Sequence, residues 1–262
     1  MSDSQEIKLE TALCRAADHP AERPEFYKVL LESSLYILGT SGSDAVNGIT
    51  NLRAGEDISI QKWEKSDGTS VIPVFSSLAA LQKAIKHESK YMKLSARDLF
   101  EITKRDGFVL NPESDYGKEF FPEEIEVLLA EGSNRLPETR MIKEETRVLI
   151  GEPAVIPEKM IAELSAWFSK CPEVRRAFLV LMHDPSIDKK PHYLVAVDMT
   201  GNVEKVMRGA GIVAGDSSPD GEPVDLIYLG QNNRGLEEHI TSQFKPFYIR
   251  SWKQKLLTMF SH

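Results

Sequence analysis

Cysteine is scarce in this chain. Cys14 and Cys171 are the only two among 262 residues, and they lie far apart in the sequence. A disulfide framework or a four-thiolate zinc site needs more thiols than that. Cys171 precedes Pro-Glu-Val-Arg-Arg, which resembles the arginine-bearing loop of a sulfurtransferase or a cysteine phosphatase. Those loops follow a strand and open a helix, whereas here the predicted helix comes first, so we expect a reduced thiol that ends a helix.

Long apolar runs are missing as well. The longest are about five residues, such as Phe178–Met182, whereas a membrane-spanning helix needs roughly twenty. The first ten residues, MSDSQEIKLE, have neither the basic region nor the apolar stretch of a secretory signal. We therefore expect a cytoplasmic protein with no membrane partner.

Common catalytic and ligand motifs are also absent from the sequence. It contains no H-E-x-x-H, no Walker A lysine and no G-x-S-x-G. His183, Asp184, Asp188 and His192 fall in one predicted hairpin loop, where such residues could meet a metal but more commonly form solvated surface. The run Arg208–Gly215 misses the G-x-G-x-x-G spacing, and we interpret it as a helix stop and a flexible turn. We predict no catalytic, cofactor-binding or metal-binding residues, and no cofactor.

The chain has fewer basic than acidic residues, and most of this difference lies in the first half of the sequence. Residues 1–130 carry 15 basic and 22 acidic residues, residues 131–262 carry 17 and 18, and the whole chain has a net charge of −8. Such an acidic surface repels a phosphate backbone. The sequence therefore disfavours nucleic acid as a partner.

The strongest local pattern that is present runs from Trp63 to Ile85. Asp67-Gly68 separates two strand-like runs, Ile58–Lys65 and Thr69–Phe75, and Asp-Gly supplies the positive φ angles of a tight hairpin turn. Pro73 lacks a backbone donor, so we expect the second strand to lie at a sheet edge or to present that position outward. Ser76 or Ser77 can then cap a helix.

Two domains of an α+β fold are the predicted architecture. Gly132, Ser133, Asn134 and Pro137 give the region between them the composition of a linker, so we place the domains at 1–136 and 137–262, each a small mixed or antiparallel sheet packed with helices. In the second domain we expect a helix over Pro157–Ser169, a hairpin of Ala177–Met182 with His192–Val197, a helix over Asn202–Arg208, a strand over Val224–Leu229, a helix over Gly235–Phe244 and a last helix starting near Pro246.

Five stretches of the sequence carry a family resemblance. They are WEKSDGTSVIPVFSSLAAL, GKEFFPEEI, VLIGEPAVIPEKMI, RRAFLVLM and FKPFYIRSW, and together they resemble the SseB, or enhanced serine sensitivity, family over nearly the whole chain. The resemblance implies a bacterial cytoplasmic protein with a link to serine tolerance and without an established molecular activity. It supplies no catalytic residues. A type III secretion component shares the abbreviation, but such a protein should have long apolar or coiled-coil segments, which this chain lacks.

The function that we predict from the resemblance and the missing motifs is that of a non-enzymatic accessory or interaction protein. Lys118 and Glu119, beside two phenylalanines, are candidates for an exposed recognition edge, and Leu257, Met259 and Phe260 are candidates in the basic, aromatic C-terminal tail. They would bind an unidentified protein partner or a second copy. The alternative is an enzyme or small-molecule-binding regulator of serine or sulfur metabolism, with a site assembled from distant residues. A third and less favoured alternative is a type III secretion-related protein.

Overall fold

The computed structural model describes residues 2–41, 58–103, 105–130, 148–185, 190–230 and 234–251. The chain divides into two compact units, and the division is not a single cut. The N-terminal unit comprises Met1–Asp18 and Glu25–Arg135, and the C-terminal unit comprises His19–Pro24 and Leu136–His262. Each unit combines helices with a mixed sheet, which confirms the α+β class.

The N-terminal unit has one seven-stranded sheet. The helices are α1 (Ser2–Asp18), α2 (Arg23–Leu31), α3 (Leu78–Ala84), α4 (Ala96–Ile102) and α5 (Pro122–Ala130), and the strands are β1 (Ser34–Ser41), β2 (Ile58–Ile60), β3 (Trp63–Glu64), β4 (Ser70–Phe75), β5 (Tyr91–Ser95), β6 (Gly107–Leu110) and β7 (Lys118–Phe120). Strands β1 and β4 form the centre of the sheet. β1 pairs antiparallel with β2, β4 and β5, and β4 pairs antiparallel with β3 and parallel with β6, which in turn pairs with β7.

The predicted hairpin at Asp67-Gly68 is confirmed. The amide of Gly68 donates to the carbonyl of Lys65 over 2.9 Å, and the amide of Lys65 donates to the carbonyl of Thr69 over 2.8 Å. Gly68 has a φ of 83°, the left-handed conformation that closes a three-residue hairpin loop. The Asp67 carboxylate accepts from the amide and the hydroxyl of Thr69, which holds the turn locally.

Of the two alternatives expected for Pro73, the sheet edge is wrong, because β4 has partner strands on both sides. This strand pairs with β1 and β3 on one side and with β6 on the other. Pro73 lies between Val71, which is paired with β3, and Val74, which is paired with β1, so proline occupies the place where β4 changes its partner strand. Ser77 caps α3 as predicted, because its hydroxyl accepts from the amide of Ala80.

A polar network lies where β4 and β6 end. The hydroxyls of Ser76 and Ser77 both donate to the Glu10 carboxylate of α1, over 2.8 and 2.7 Å. Asn111, with a φ of 52°, accepts from the Ser76 amide and donates to the Ser76 hydroxyl. Ser76 is completely buried. These serines therefore join α1 to the sheet and are not exposed nucleophiles.

The C-terminal unit has a five-stranded sheet in the order β11-β10-β9-β12, with β8 also paired to β9. The predicted β9–β10 hairpin is confirmed as an antiparallel pair, and β11 runs parallel to β10. Its strands are β8 (Leu149–Gly151), β9 (Val174–His183), β10 (His192–Met199), β11 (Val224–Leu229) and β12 (Tyr248–Ile249), its helices are α6 (Glu158–Lys170), α7 (Val203–Ser217) and α8 (Arg234–Gln243), and Pro20–Glu22 forms a short 3₁₀ helix.

Helices cover both faces of this sheet. Ala177 and Leu179 of β9 share one cluster with residues of α6 and α7, whereas Phe178 and Val180 share another with Ile240 of α8. This alternation is what the two-residue period of a strand produces when both faces are buried. In the part of the chain that the structure describes, no helix is long and apolar enough to cross a membrane.

Two sequence expectations fail in this unit. The glycine-rich run is not a turn, because α7 continues through Gly209, Gly211 and Gly215 to Ser217. A Cβ on Gly209 would lie 2.1 Å from the Trp167 ring, so the glycine allows α6 and α7 to approach closely. The predicted last helix is also wrong over Tyr248–Ile249, which forms β12 on the edge of β9. Phe247, the residue before β12, packs into the α6–α7 cluster.

Candidate interaction site

Lys118 and Glu119 lie on β7, an outer strand, and both are held by ion pairs. The Lys118 ammonium lies 2.9 Å from the Glu124 carboxylate and 4.8 Å from the centre of the Phe120 ring. Glu119 lies 2.8 Å from the ammonium of Lys65, and this hydrogen bond is the main reason that the pKa of Lys65 is raised. A partner at this edge would have to compete with these pairs. Leu257, Met259 and Phe260, the other predicted contacts, lie outside the described residues.

Cys171 ends α6 and precedes β9, the order expected of a structural thiol. It is 5% exposed, and its carbonyl oxygen accepts a 2.7 Å hydrogen bond from the buried Arg250 guanidinium. Burial, with a smaller effect of the nearby Glu173 charge, raises the pKa of the Cys171 thiol to about 11. The thiol is thus protonated at neutral pH and is a poor nucleophile, because the thiolate is the reactive form.

The suspected metal ligands do not come together among the described residues. The Nε2 atom of His192 lies 2.9 Å from a carboxylate oxygen of Asp225 on the neighbouring strand β11. In residues 190–230 and the other described ranges, no three His, Cys, Asp or Glu side chains are placed to hold a metal ion. Asp188 lies outside those ranges.

An arginine pair at the start of β9 is a site that the sequence motifs did not predict. Strand β10 pairs Asp198 with Arg176 and then Met199 with Val174, so Arg175 is the extra residue of a β-bulge. Successive strand residues normally point to opposite faces. Because of the bulge, the Nε atoms of Arg175 and Arg176 both donate to Asp198, each over 3.0 Å.

The aspartate of this site is buried, whereas its two arginines are exposed. The Asp198 side chain is 9% exposed, whereas those of Arg175 and Arg176 are 58% and 44% exposed. Asp198 therefore orients both guanidinium groups from the buried side of the site, while a large part of each arginine side chain is exposed to solvent. Arg176 also lies over the Phe178 ring, at 5.6 Å, which restrains it further. One buried negative charge thus supports two outward positive charges.

An exposed apolar residue adjoins the arginine pair. Ile249 of β12 is paired with Arg176 and is 63% exposed. The amide of Arg250 donates to the carbonyl of Arg175, so β12 fixes the outer edge of the site. Two of the stretches that resemble the SseB family, RRAFLVLM and FKPFYIRSW, meet here, because β12 pairs with β9 at Ala177 and Arg176. The sequence signal for the site was an aspartate ending an apolar strand opposite two adjacent arginines.

Comparison with known proteins agrees with the resemblance. Residues 9–127 match the family model described as the SseB protein N-terminal domain, and residues 142–250 match that of the SseB protein C-terminal domain. The proteins named Protein SseB from Escherichia coli (strain K12) and Shigella flexneri are each 34% identical to this chain over 245 residues, which cover 94% of this chain and 93% of each relative. No solved structure matches significantly. The chain belongs to the SseB family.

Proposed function

We propose that this chain is a non-enzymatic interaction protein, linked to serine sensitivity in the bacterial cytoplasm, which binds an acidic protein partner through Arg175 and Arg176. The observation that carries the proposal is the β-bulge that turns both arginines toward Asp198 on one face, beside the exposed Ile249. A family name that refers to serine sensitivity supports the physiological link.

The chemistry of the arginine pair suits a carboxylate-bearing partner. A guanidinium offers a planar fork of donors that matches a carboxylate, and an arginine that is already oriented loses less freedom on binding. Each arginine uses its Nε and one terminal nitrogen on Asp198, which leaves the other terminal nitrogen for a second acceptor. Ile249 adds an apolar contact at the rim. Positive charge is thus concentrated here in a protein whose net charge is −8.

The C-terminal tail follows the proposed surface in the sequence. The chain leaves β12 through Arg250 and Ser251, next to the arginine pair, and Leu257, Met259 and Phe260 follow within about ten residues. We propose that these three apolar side chains contribute to partner binding or to self-association. Lys118 and Glu119 on β7 form a separate proposed contact.

Affinity capture from the cytoplasm of the native host tests the function. The bait is the full chain, and the variants Arg175→Gln and Arg176→Gln are compared with it one at a time, so that Asp198 always keeps one arginine. The control is Lys86→Gln, which removes one exposed positive charge from the N-terminal unit. We expect the same acidic protein with wild type and control, and a loss of at least tenfold with either arginine variant.

Three results would count against the proposal. Retention of the same partner by both arginine variants would show that it binds elsewhere. A metabolite that co-purifies in stoichiometric amount, without a protein, would favour the small-molecule-binding alternative. For the tail, deletion of residues 258–262 should weaken capture or self-association in sedimentation without lowering the melting temperature, and unchanged association would refute the contribution of Met259 and Phe260.

A further inference from the structure

Residues His19–Pro24 belong to the C-terminal unit, although the residues on both sides of them belong to the N-terminal unit. The segment lies against α6 and α7. Ala21 is 2% exposed and is a member of the cluster that α6, α7 and the sheet form, and Pro20 is also buried. The C-terminal unit thus includes a short segment made of the 3₁₀ turn Pro20–Glu22 and the first two residues of α2.

Side chains of α6 bind the main chain of this segment. The amide of Ala21 donates to the Glu163 carboxylate over 2.9 Å, and the carbonyl of Ala21 accepts from the Lys170 ammonium over 3.1 Å. Glu163 and Lys170 are two helical turns apart, so they lie on the same side of α6. Both polar groups of one buried residue are therefore satisfied by charged side chains, as they are in a peptide-binding site.

Further ion pairs bind the side chains of the segment. Glu22 lies 2.7 Å from the same Lys170 ammonium, and Arg23 lies 2.7 Å from the carboxylate of Asp216 on α7. All four of these side chains are between 28% and 39% exposed, so water can reach the pairs. The buried anchor is the small side chain of Ala21, and an acidic residue, Glu22, and a basic residue, Arg23, follow it.

We propose that the groove between α6 and α7 is a peptide-recognition site for a Pro-Ala-Glu-Arg segment, and that His19–Pro24 is its resident and displaceable occupant. The position of Ala21 in the core admits only a small residue. Lys170 selects an acidic residue after it, and Asp216 selects a cation one position further on. A second copy of the chain carries the same segment and can bind this groove when the resident segment is displaced.

The resident segment is covalently attached to the protein that carries the groove, and this attachment favours it over a free peptide. A short covalent connection gives an effective concentration in the millimolar range, so a free peptide of the same sequence competes poorly with it. Removing the resident segment should therefore raise the affinity for a free peptide, and a dissociation constant of about 0.1 mM or lower at the emptied site would make the gain tenfold or more. The site is separate from the arginine pair, and its test does not depend on the proposed function.

The experiment uses the full chain and a fluorescein-labelled peptide of residues 17–25. In the Ala21→Glu variant the new carboxylate would be buried beside Glu163, so the resident segment should leave the groove. We expect the peptide to bind this variant at least tenfold more tightly than wild type, as measured by fluorescence anisotropy. A peptide that carries Ala21→Glu should not bind, and a second substitution in the protein, Lys170→Glu, should abolish binding of the original peptide.

A second variant guards against a local effect of the buried glutamate. It replaces all six residues His19–Pro24 by glycine and serine, which empties the groove without adding charge, and it should bind the peptide in the same way. Equal binding by wild type and both variants, or no binding by variants that stay folded, would overturn the proposal. Global unfolding of both variants would also overturn it, because the segment would then be an indispensable part of the core and not a displaceable ligand.

Discussion

Cys171 is a residue whose surroundings decide its chemistry. We predict that Cys171→Ser leaves partner capture unchanged and costs at most a few kcal/mol of stability, because the thiol fills space at the end of α6. Its raised pKa, about 11, also predicts slow alkylation of the native protein at pH 7 and rapid alkylation after unfolding. Mass spectrometry of the labelled peptide measures both rates. A stoichiometric persulfide on Cys171 of protein from the host would contradict this prediction.

Gly209 sets the distance between two helices, so its substitution tests the packing of α7 against α6. In an exposed helical position, replacing glycine by alanine usually gains up to about 1 kcal/mol. At Gly209 the added methyl would meet the Trp167 ring, and overpacking of this kind costs about 1–3 kcal/mol. We therefore expect Gly209→Ala to lower the free energy of unfolding in urea titrations.

The matched control lies in the same helix. Gly215 is exposed, and a Cβ there would meet nothing within 4 Å. Gly215→Ala should therefore leave stability unchanged or raise it slightly. If the two substitutions had the same effect, the close approach of α6 and α7 would not be the reason for glycine at position 209.

Elements specified by neighbouring residues were predictable from the sequence. The Asp67-Gly68 turn and the Ser77 cap depend on contacts within a few residues, and both form as expected. The sequence failed where a distant partner overrides local preference. The glycine-rich run is helical where Ala210, Val213 and Ala214 pack into the core with α6, and pairing with β9 makes Tyr248–Ile249 a strand. The arginine pair was missed because it depends on a shift in strand register, which neither strand reveals alone.

At the scale of the whole molecule, several pKa shifts predict a loss of stability at alkaline pH. Burial raises the pKa of Cys171 and of Tyr248. For Lys93 burial lowers the pKa, but hydrogen bonds to Glu6 and Tyr36 more than offset this, so its pKa is raised too. The folded state therefore binds these protons more tightly than the unfolded state, and the resulting stabilisation is present below the unfolded pKa values and is lost as pH rises through the folded ones.

The measurement is the melting temperature between pH 8 and 11.5. The cysteine has the lowest unfolded pKa of the three, about 8.5, so its contribution should begin to fall first. We expect wild type to lose stability from about pH 8.5 upward, and Cys171→Ser to hold its melting temperature until about pH 10, where the tyrosine and lysine contributions begin to fall. Identical profiles for the two proteins would show that Cys171 does not contribute to the loss.

The two-unit division predicts how fragments behave. We propose that residues 1–136 and 137–262 are separate domains and that limited proteolysis cuts near Gly132–Pro137. Fragment 137–262 lacks Ala21 and the partners of Lys170 and Asp216, so it should fold with lower stability than the same region in the full chain. Circular dichroism melting of both fragments tests this. If neither fragment folds, the domains depend on each other.

The C-terminal unit combines residues 19–24 with residues 136–262, so its parts are synthesised at different times. A ribosome that adds roughly 5–20 residues per second reaches Asp216 about 10–40 s after Arg23, since about 190 residues separate them. The first 130 residues can fold during that interval, but the groove for His19–Pro24 cannot exist until α7 has been made. Nascent chains must therefore carry this segment without its binding site, and the C-terminal unit is completed only by a return to residues made about 190 residues earlier.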